Sequence, residues 1–211
     1  MASAAKSHLQ TAWELFKRYW SVFLLAELAA LVAWVALEIA VVTARRSGIP
    51  AVAYWPLWLC LHLAFFWIFC GLMVGIHRMA LLAVDGGVPT FATALSHLDR
   101  GTIYLFTSLL YWAAVIGGLG LAVIPGVVAA VKWAPFRFVL AENPQSVVSS
   151  LHEAALLSAS HRLQVFRSLA VSLVLNLAGV AFLGVGLFVS FPIPVILRAS
   201  DFRTLRPFRF Q

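Results

Sequence analysis

From Leu163 to Leu197 about 35 consecutive residues are almost all apolar, and Arg167 is the one charge among them. A helix rises 1.5 Å per residue and about 20 apolar residues cross the hydrocarbon of a bilayer, so this stretch exceeds one straight span and barely suffices for two. Similar runs recur along the whole chain. Of the 211 residues 63% are apolar and 11% are charged, with mean hydropathy +0.95. Soluble domains have roughly 45–50% apolar and roughly 25% charged residues. Too few polar side chains remain to cover a water-facing surface. That excludes a soluble enzyme, a disordered tail and a conventional nucleic-acid-binding domain. The expected fold is all-α: a polytopic membrane bundle of about six transmembrane helices with short amphipathic interfacial helices, in a single domain over 1–211.

The spans are expected at 19–42, at 54–74 with helix continuing to 83, and at 102–124, 127–141, 163–182 and 187–197. Arg45, Arg46, Ser47, Gly48 and Pro50 form a polar turn, and Asp85 to Pro89 break the second helix. Pro125-Gly126 is the expected tight turn between spans three and four, and Leu183-Gly184-Val185-Gly186 the turn between five and six. Residues 90–100 are too polar to span, but Phe91, Ala94, Leu95 and Leu98 recur at helical spacing, as in an interfacial helix. Ser146 suits the N-cap of a second amphipathic helix reaching Ser160. The first apolar run, about 24 residues, is longer than the roughly 7–15 of a signal peptide and reads as a retained span.

The basic residues test this layout. With six spans, one side carries Lys6, Lys17, Arg18, Arg78, Arg100, Arg162, Arg167, Arg198, Arg203, Arg206 and Arg209, and the other only Arg45 and Arg46. Lys and Arg accumulate on the cytoplasmic side, so both termini are expected there, in the inner membrane. The net charge of +7 then reflects topology and anionic headgroups rather than nucleic acid. Three segments also share an order, an amphipathic stretch ending in a basic residue followed by apolar runs with an Ile-Pro. They suggest a weak threefold hairpin repeat over 1–85, 86–143 and 144–211.

Residues 71–206 resemble a bacterial group of six-span proteins, the YciC-like family, or membrane domain associated with glycerophosphodiester phosphodiesterases. The matching stretches are Gly86 to Arg100, Ile124-Pro125-Gly126-Val127-Val128, Trp133-Ala134-Pro135-Phe136, Ala141-Glu142-Asn143-Pro144, the helix from Ala154 to Ser158, and Leu183-Gly184-Val185-Gly186 followed by Pro192. The resemblance implies a six-helix polytopic fold. Where such domains are fused to a phosphodiesterase, catalysis belongs to a separate soluble barrel, for which this chain has no room. No active-site residues carry over.

Glu27 and Glu38 stand out within the first span. Eleven residues is almost three turns, which puts them on nearly one helix face. An ionisable group inside a span is costly and marks a functional site by default. A proton or cation relay is one reading. Pairing with a basic residue such as Lys132, or Glu38 reaching the interface, is the other. Arg137 is expected to reach the cytoplasmic interface along its aliphatic stem, with Lys132 deeper. Asn176 suits a bond between helices. His62 could ligate a metal or haem, but a lone intramembrane histidine more often packs with a hydrogen bond. His77 is expected near the cytoplasmic face. No spacing of Cys and His supports a metal site, and Cys60 and Cys70, ten apart on one helix, cannot pair. Gly71 and Gly75 permit close helix approach.

No nucleophile–base pair is visible, so the expectation is a protein without enzymatic activity, metal or cofactor. It would be an accessory or scaffold subunit of a membrane complex, or an envelope-maintenance protein. Its partners would be the bilayer, anionic headgroups on the cytoplasmic side and other membrane subunits, with no nucleic acid. The alternative is a small transporter or channel with Glu27, Glu38 and Lys132 on its path.

Overall fold

The computed structural model describes residues 2–143, 145–181 and 186–206, with side chains from residue 8 onward except 51 and 187. These residues form an all-α bundle with no strand among them. The helices are α1 (Ala2–Arg46), α2 (Ala51–Val84), α3 (Phe91–Leu95), α4 (Gly101–Leu121), α5 (Val123–Trp133), α6 (Phe136–Glu142), α7 (Val147–Ala159), α8 (Arg162–Ala181), α9 (Leu187–Ser190) and α10 (Pro192–Leu205), with a 3-10 turn at Leu98–Arg100. Among the described residues five segments are long and apolar enough to cross a membrane: His8–Arg46, Val52–Val84, Phe91–Leu121, Val123–Glu142 and Arg162–Ala181.

Much of the local chemistry follows the expected punctuation. Gly48 and Gly86, both at φ +80°, take the left-handed backbone that ends α1 and α2. Ser146 caps α7, its hydroxyl accepting from the Ser149 N–H at 3.2 Å. Thr90 caps α3 in the same way through the Thr93 N–H. α1 is kinked at Tyr19, whose hydroxyl donates to the Gly87 carbonyl at 3.3 Å.

The core is concentrated at one end of the bundle. The second half of α2, from Cys70 to Ala83, is buried almost without interruption, and α1, α3, α4, α6 and α10 pack around it. Gly71 and Gly75 make this crossing possible. A Cβ on Gly71 would meet the Leu98 backbone at 2.6 Å, and one on Gly75 would overlap the Ala94 backbone. α3 and the 3-10 turn therefore lie directly against α2, and Ala94 is fully buried there.

Toward the other end the helices separate. Among the described residues of 27–69, covering the second half of α1 and the first half of α2, only Val41 is buried. The alanines of α1 follow the same gradient: Ala26 is buried, whereas Ala33, Ala36 and Ala40 are exposed. The pair forms a two-helix arm standing clear of the rest.

Two turns differ from expectation. Pro125-Gly126 is not the turn between spans three and four. The reversal is at Ala122, in extended backbone, and its N–H donates to the Gly118 carbonyl at 2.9 Å. Pro125 is the third residue of α5, where its missing N–H would have no intrahelical partner anyway. Gly126 serves as a packing residue instead: a Cβ on Gly118 would lie 2.8 Å from the Gly126 Cα. The expected sixth span at 187–197 is divided at Phe191 into α9 and α10. Pro192 opens α10, whose apolar side chains are buried by α1, α2 and α8 rather than turned outward. Gly186 lies in the turn before α9, where a Cβ would come within 2.7 Å of the Gly179 carbonyl. Gly184, expected in the same turn, lies outside the described residues.

Candidate functional site

The polar residues singled out in the sequence do not converge on one path. Glu38 faces His62 across the α1–α2 arm, with Oε1 3.3 Å from Nε2. The other His62 ring nitrogen lies 2.8 Å from the Trp58 carbonyl and donates to it, since a carbonyl can only accept. Trp58 flanks the ring at 4.2 Å, and Trp34 approaches it edge-on. His62 is thus held by hydrogen bonds within the arm. Among the described residues no three His, Cys, Asp or Glu side chains converge as metal ligands.

Glu27 sits at the edge of the core with its Oε1 buried and without a hydrogen-bond partner. Lys132 is not its counter-charge. It is exposed, and its ammonium lies 5.2 Å from the Trp133 ring centroid on α5. The two residues lie on helices that make no extensive contact. Asn176 does not bond between helices through its carbonyl, since Oδ1 is buried and unpartnered.

Arg137 is half-buried. Its guanidinium lies 5.8 Å from the Tyr111 ring and 5.5 Å from the Phe136 ring, and its Nε is buried without a partner. His77 is buried within the bundle, 2% exposed. Its Nδ1 lies 2.6 Å from the Met73 carbonyl, its Nε2 is unpartnered, and Phe138 meets the ring edge-on at 5.0 Å. Arg198 of α10 donates from Nε to the Pro194 carbonyl of its own helix and lines a narrow cleft with Phe138 and Asp201. His77 and Arg198 thus both border Phe138 of α6, the residue after Arg137. The three basic residues are 60 and more residues apart in sequence, so no local spacing announces this.

At the end of the bundle where α2 and α6 terminate, a network of ion pairs gathers residues the sequence presents only as scattered charges. Arg203 on α10 donates from Nε to Asp85 at 2.7 Å and from Nη1 to Glu142. Arg206 pairs with Glu142 and, at 3.2 Å, with Glu153 on α7, which also accepts from Gln145. Burial alone would lower the Arg203 guanidinium, but the carboxylates of Asp85 and Glu142 outweigh it and hold it above its ordinary value. Nearby, Arg100 donates to the Leu140 and Ala141 carbonyls at 2.7 and 3.3 Å, satisfying the C-terminal end of α6.

His8 of α1 contacts Asp201 of α10 at 2.8 Å, and Gln164 of α8 donates to the same carboxylate at 3.0 Å. The N-terminal helix, the start of α8 and the end of α10 therefore share one face with the ion-pair network. Between them lies a cleft of about 450 Å³, lined by His8, His161, Arg162, Gln164, Arg167 and Asp201 over an apolar floor that includes Leu9 and Leu197. Comparison of the chain with protein-family models, with curated proteins and with solved structures returned no match.

Proposed function

We propose that the chain is a non-catalytic, multi-pass protein of the inner membrane, with both termini cytoplasmic, serving as an accessory or scaffold subunit of a membrane complex. The six-span resemblance to the YciC-like group belongs to the same proposal. The observation that carries it is the α1–α2 arm. One end of the bundle is packed to completion, yet residues 27–69 leave both of their helices exposed on nearly every side. The arm is aromatic, with Trp34, Trp55, Phe66 and Trp67 on its surface, and it is braced internally by the Glu38–His62 pair. A rigid, apolar, two-helix surface is what a neighbouring subunit can pack against. The arginine asymmetry supports the orientation, and the contact of His8 on α1 with Asp201 on α10 is consistent with it.

The test is photocrosslinking from Val32 and Leu63, both exposed on the arm, followed by gentle extraction and mass spectrometry. A single membrane protein captured in stoichiometric amount is the expected result. Recovery of an unaccompanied monomer from both positions would remove the scaffold reading.

Glu27 favours a second reading, a small transporter, because one of its carboxylate oxygens is buried and unpartnered. Under that reading Glu27→Gln abolishes proton- or cation-dependent flux in proteoliposomes while leaving the helical content unchanged. Under the scaffold reading no Glu27-dependent flux is measured.

A further inference from the structure

The cleft between α1, α8 and α10 has walls fixed by hydrogen bonds. Gln164 of α8 donates to the Asp201 carboxylate at 3.0 Å and to the Thr204 hydroxyl at 2.8 Å, and His8 of α1 meets the same Asp201 oxygen at 2.8 Å. Leu163, Arg167 and Val171 follow one another at four-residue spacing, so a single face of α8 lines the cleft along its length. Leu197, Asp201 and Thr204 recur at helical spacing on α10 opposite. A volume of about 450 Å³ falls within the roughly 300–1,000 Å³ of small-molecule sites, and the lining is mostly apolar with a few polar groups, as in such sites.

Charge and apolar surface are sorted by depth along this cleft. α8 is long and apolar enough to cross a membrane, and Arg162 is its first residue. Arg167 lies about 7.5 Å further along the helix and Val171 about 13.5 Å. The polar layer on each side of the hydrocarbon is about 5–8 Å thick, so the two arginines bracket it and Val171 lies beyond it. The return segment runs antiparallel: Gln164 meets Asp201 and Thr204 at one end, and Gly179 packs against Ser190 at the other. Leu197 therefore stands on the deep side with Val171. Both arginines are exposed, and among the described residues neither pairs with a carboxylate. Asp201 also lines the cleft, but its Oδ1 is taken by His8 and Gln164. Two guanidiniums against one carboxylate leave the mouth positive. A charge within a spanning segment calls for a counter-charge, and basic pockets between transmembrane helices take anionic headgroups. Guanidinium forks match phosphate oxygens in particular.

We propose that this cleft binds one anionic phospholipid, with the phosphate against Arg162 and Arg167 and the first part of an acyl chain over Val171 and Leu197. The attraction of a basic face for headgroups, expected from charge alone, thereby becomes a single site with an apolar floor. The site requires that the chain lie in a bilayer. It does not rest on the arm, on the scaffold reading or on which face is cytoplasmic, so its failure would leave the crosslinking test of the arm untouched.

Native mass spectrometry of the full chain in detergent tests the proposal, with phosphatidylglycerol and phosphatidylcholine of the same acyl chains as separate probes. Phosphatidylcholine keeps the phosphodiester but is neutral overall. One phosphatidylglycerol should be retained per chain, at about tenfold or more lower concentration than phosphatidylcholine. Equal retention of the two, retention of neither, or a dimer of the chain held without lipid overturns the proposal. Arg162→Gln with Arg167→Gln should weaken phosphatidylglycerol retention about tenfold or more, as expected for loss of charged hydrogen-bond donors. Arg45→Gln with Arg46→Gln removes the same charge at exposed positions of the α1 end and should leave retention unchanged. An equal loss in both pairs would mean attraction by net charge alone and overturn the site. Val171→Trp fills the deep end without touching a charge and should also weaken retention. Wild-type retention in folded Val171→Trp, or in the folded double variant of Arg162 and Arg167, overturns the proposal, with circular dichroism reporting the fold. A measurement on the wild-type chain needs no variant. Phosphatidylglycerol carrying a diazirine near the glycerol end of one acyl chain, retained one per chain and photolysed, should label residues 163–171 and 197–204. Adducts confined to other helices overturn the proposal.

Discussion

Gly75→Ala should cost about 3 kcal/mol of stability, at the upper end of what overpacking produces. The added methyl would overlap the Ala94 carbonyl and the backbone atoms next to it, not a side chain that can swing aside. To admit it, α3 must lift from α2, and Ala94 and the residues packed around it lose contact with the core. Gly120→Ala is the matched control. Gly120 lies near the end of α4, and a Cβ there meets nothing within 4 Å. Alanine is preferred over glycine in a helix by about 0.5–1 kcal/mol, so the same chemical change should be neutral or mildly stabilising. Thermal unfolding of the two variants in one detergent measures the contrast. Equal behaviour would mean that the α2–α3 approach does not limit stability.

The second large effect is expected at Glu142. Its two oxygens accept from Arg203 and Arg206, and the residue is mostly buried. Glu142→Gln leaves both guanidiniums around a neutral amide, with Asp85 and Glu153 as the only remaining carboxylates. Breaking a buried pair from one side costs about 3–5 kcal/mol and exposed pairs about 0–1, so a loss of about 2–3 kcal/mol is expected here. For a chain of this size that lowers Tm by about 4–12 °C. The change should also release the end of α10, which limited trypsin digestion reads as faster cleavage at Arg203 and Arg206. An unchanged Tm and digestion pattern would show that the network contributes nothing to holding α10.

What the sequence disclosed was governed by how local each signal is. The length of the apolar runs located α2, α4, α8 and the end of α1 to within a few residues, because bilayer thickness and helix rise leave little choice, whereas α1 begins 17 residues before the expected span. Ser146, Gly48 and Gly86 were legible as caps and turns because each acts on backbone within three or four residues of itself. Pro125-Gly126 misled because a proline serves the first turn of a helix as well as it serves a turn. Nothing about Ala122 marks it as the reversal point. The sixth apolar run reads as a span, although the side chains of α10 are buried by other helices, because hydropathy does not distinguish lipid from protein interior.

The polar residues show the same limit more sharply. Glu27 and Glu38 share a helix face, yet Glu38 finds His62 and Glu27 finds nothing among the described residues. Arg203 and Arg206 counted toward topology, but their carboxylates lie 118, 61 and 64 residues away in the chain, or on α7.

The reversal at Ala122 also bears on how the chain enters a membrane. Leu121, Val123 and Ile124 around it are 87%, 69% and 75% exposed, and the nearest charged residue on either side is Arg100 or Lys132. The α4–α5 hairpin can therefore be inserted tip first with no ion crossing the hydrocarbon. With both termini cytoplasmic, as proposed, the α1–α2 hairpin would in contrast carry Arg45 and Arg46 through it, at about 2.5–3.5 kcal/mol each on an insertion scale. The two hairpins consequently differ in their need for assisted translocation.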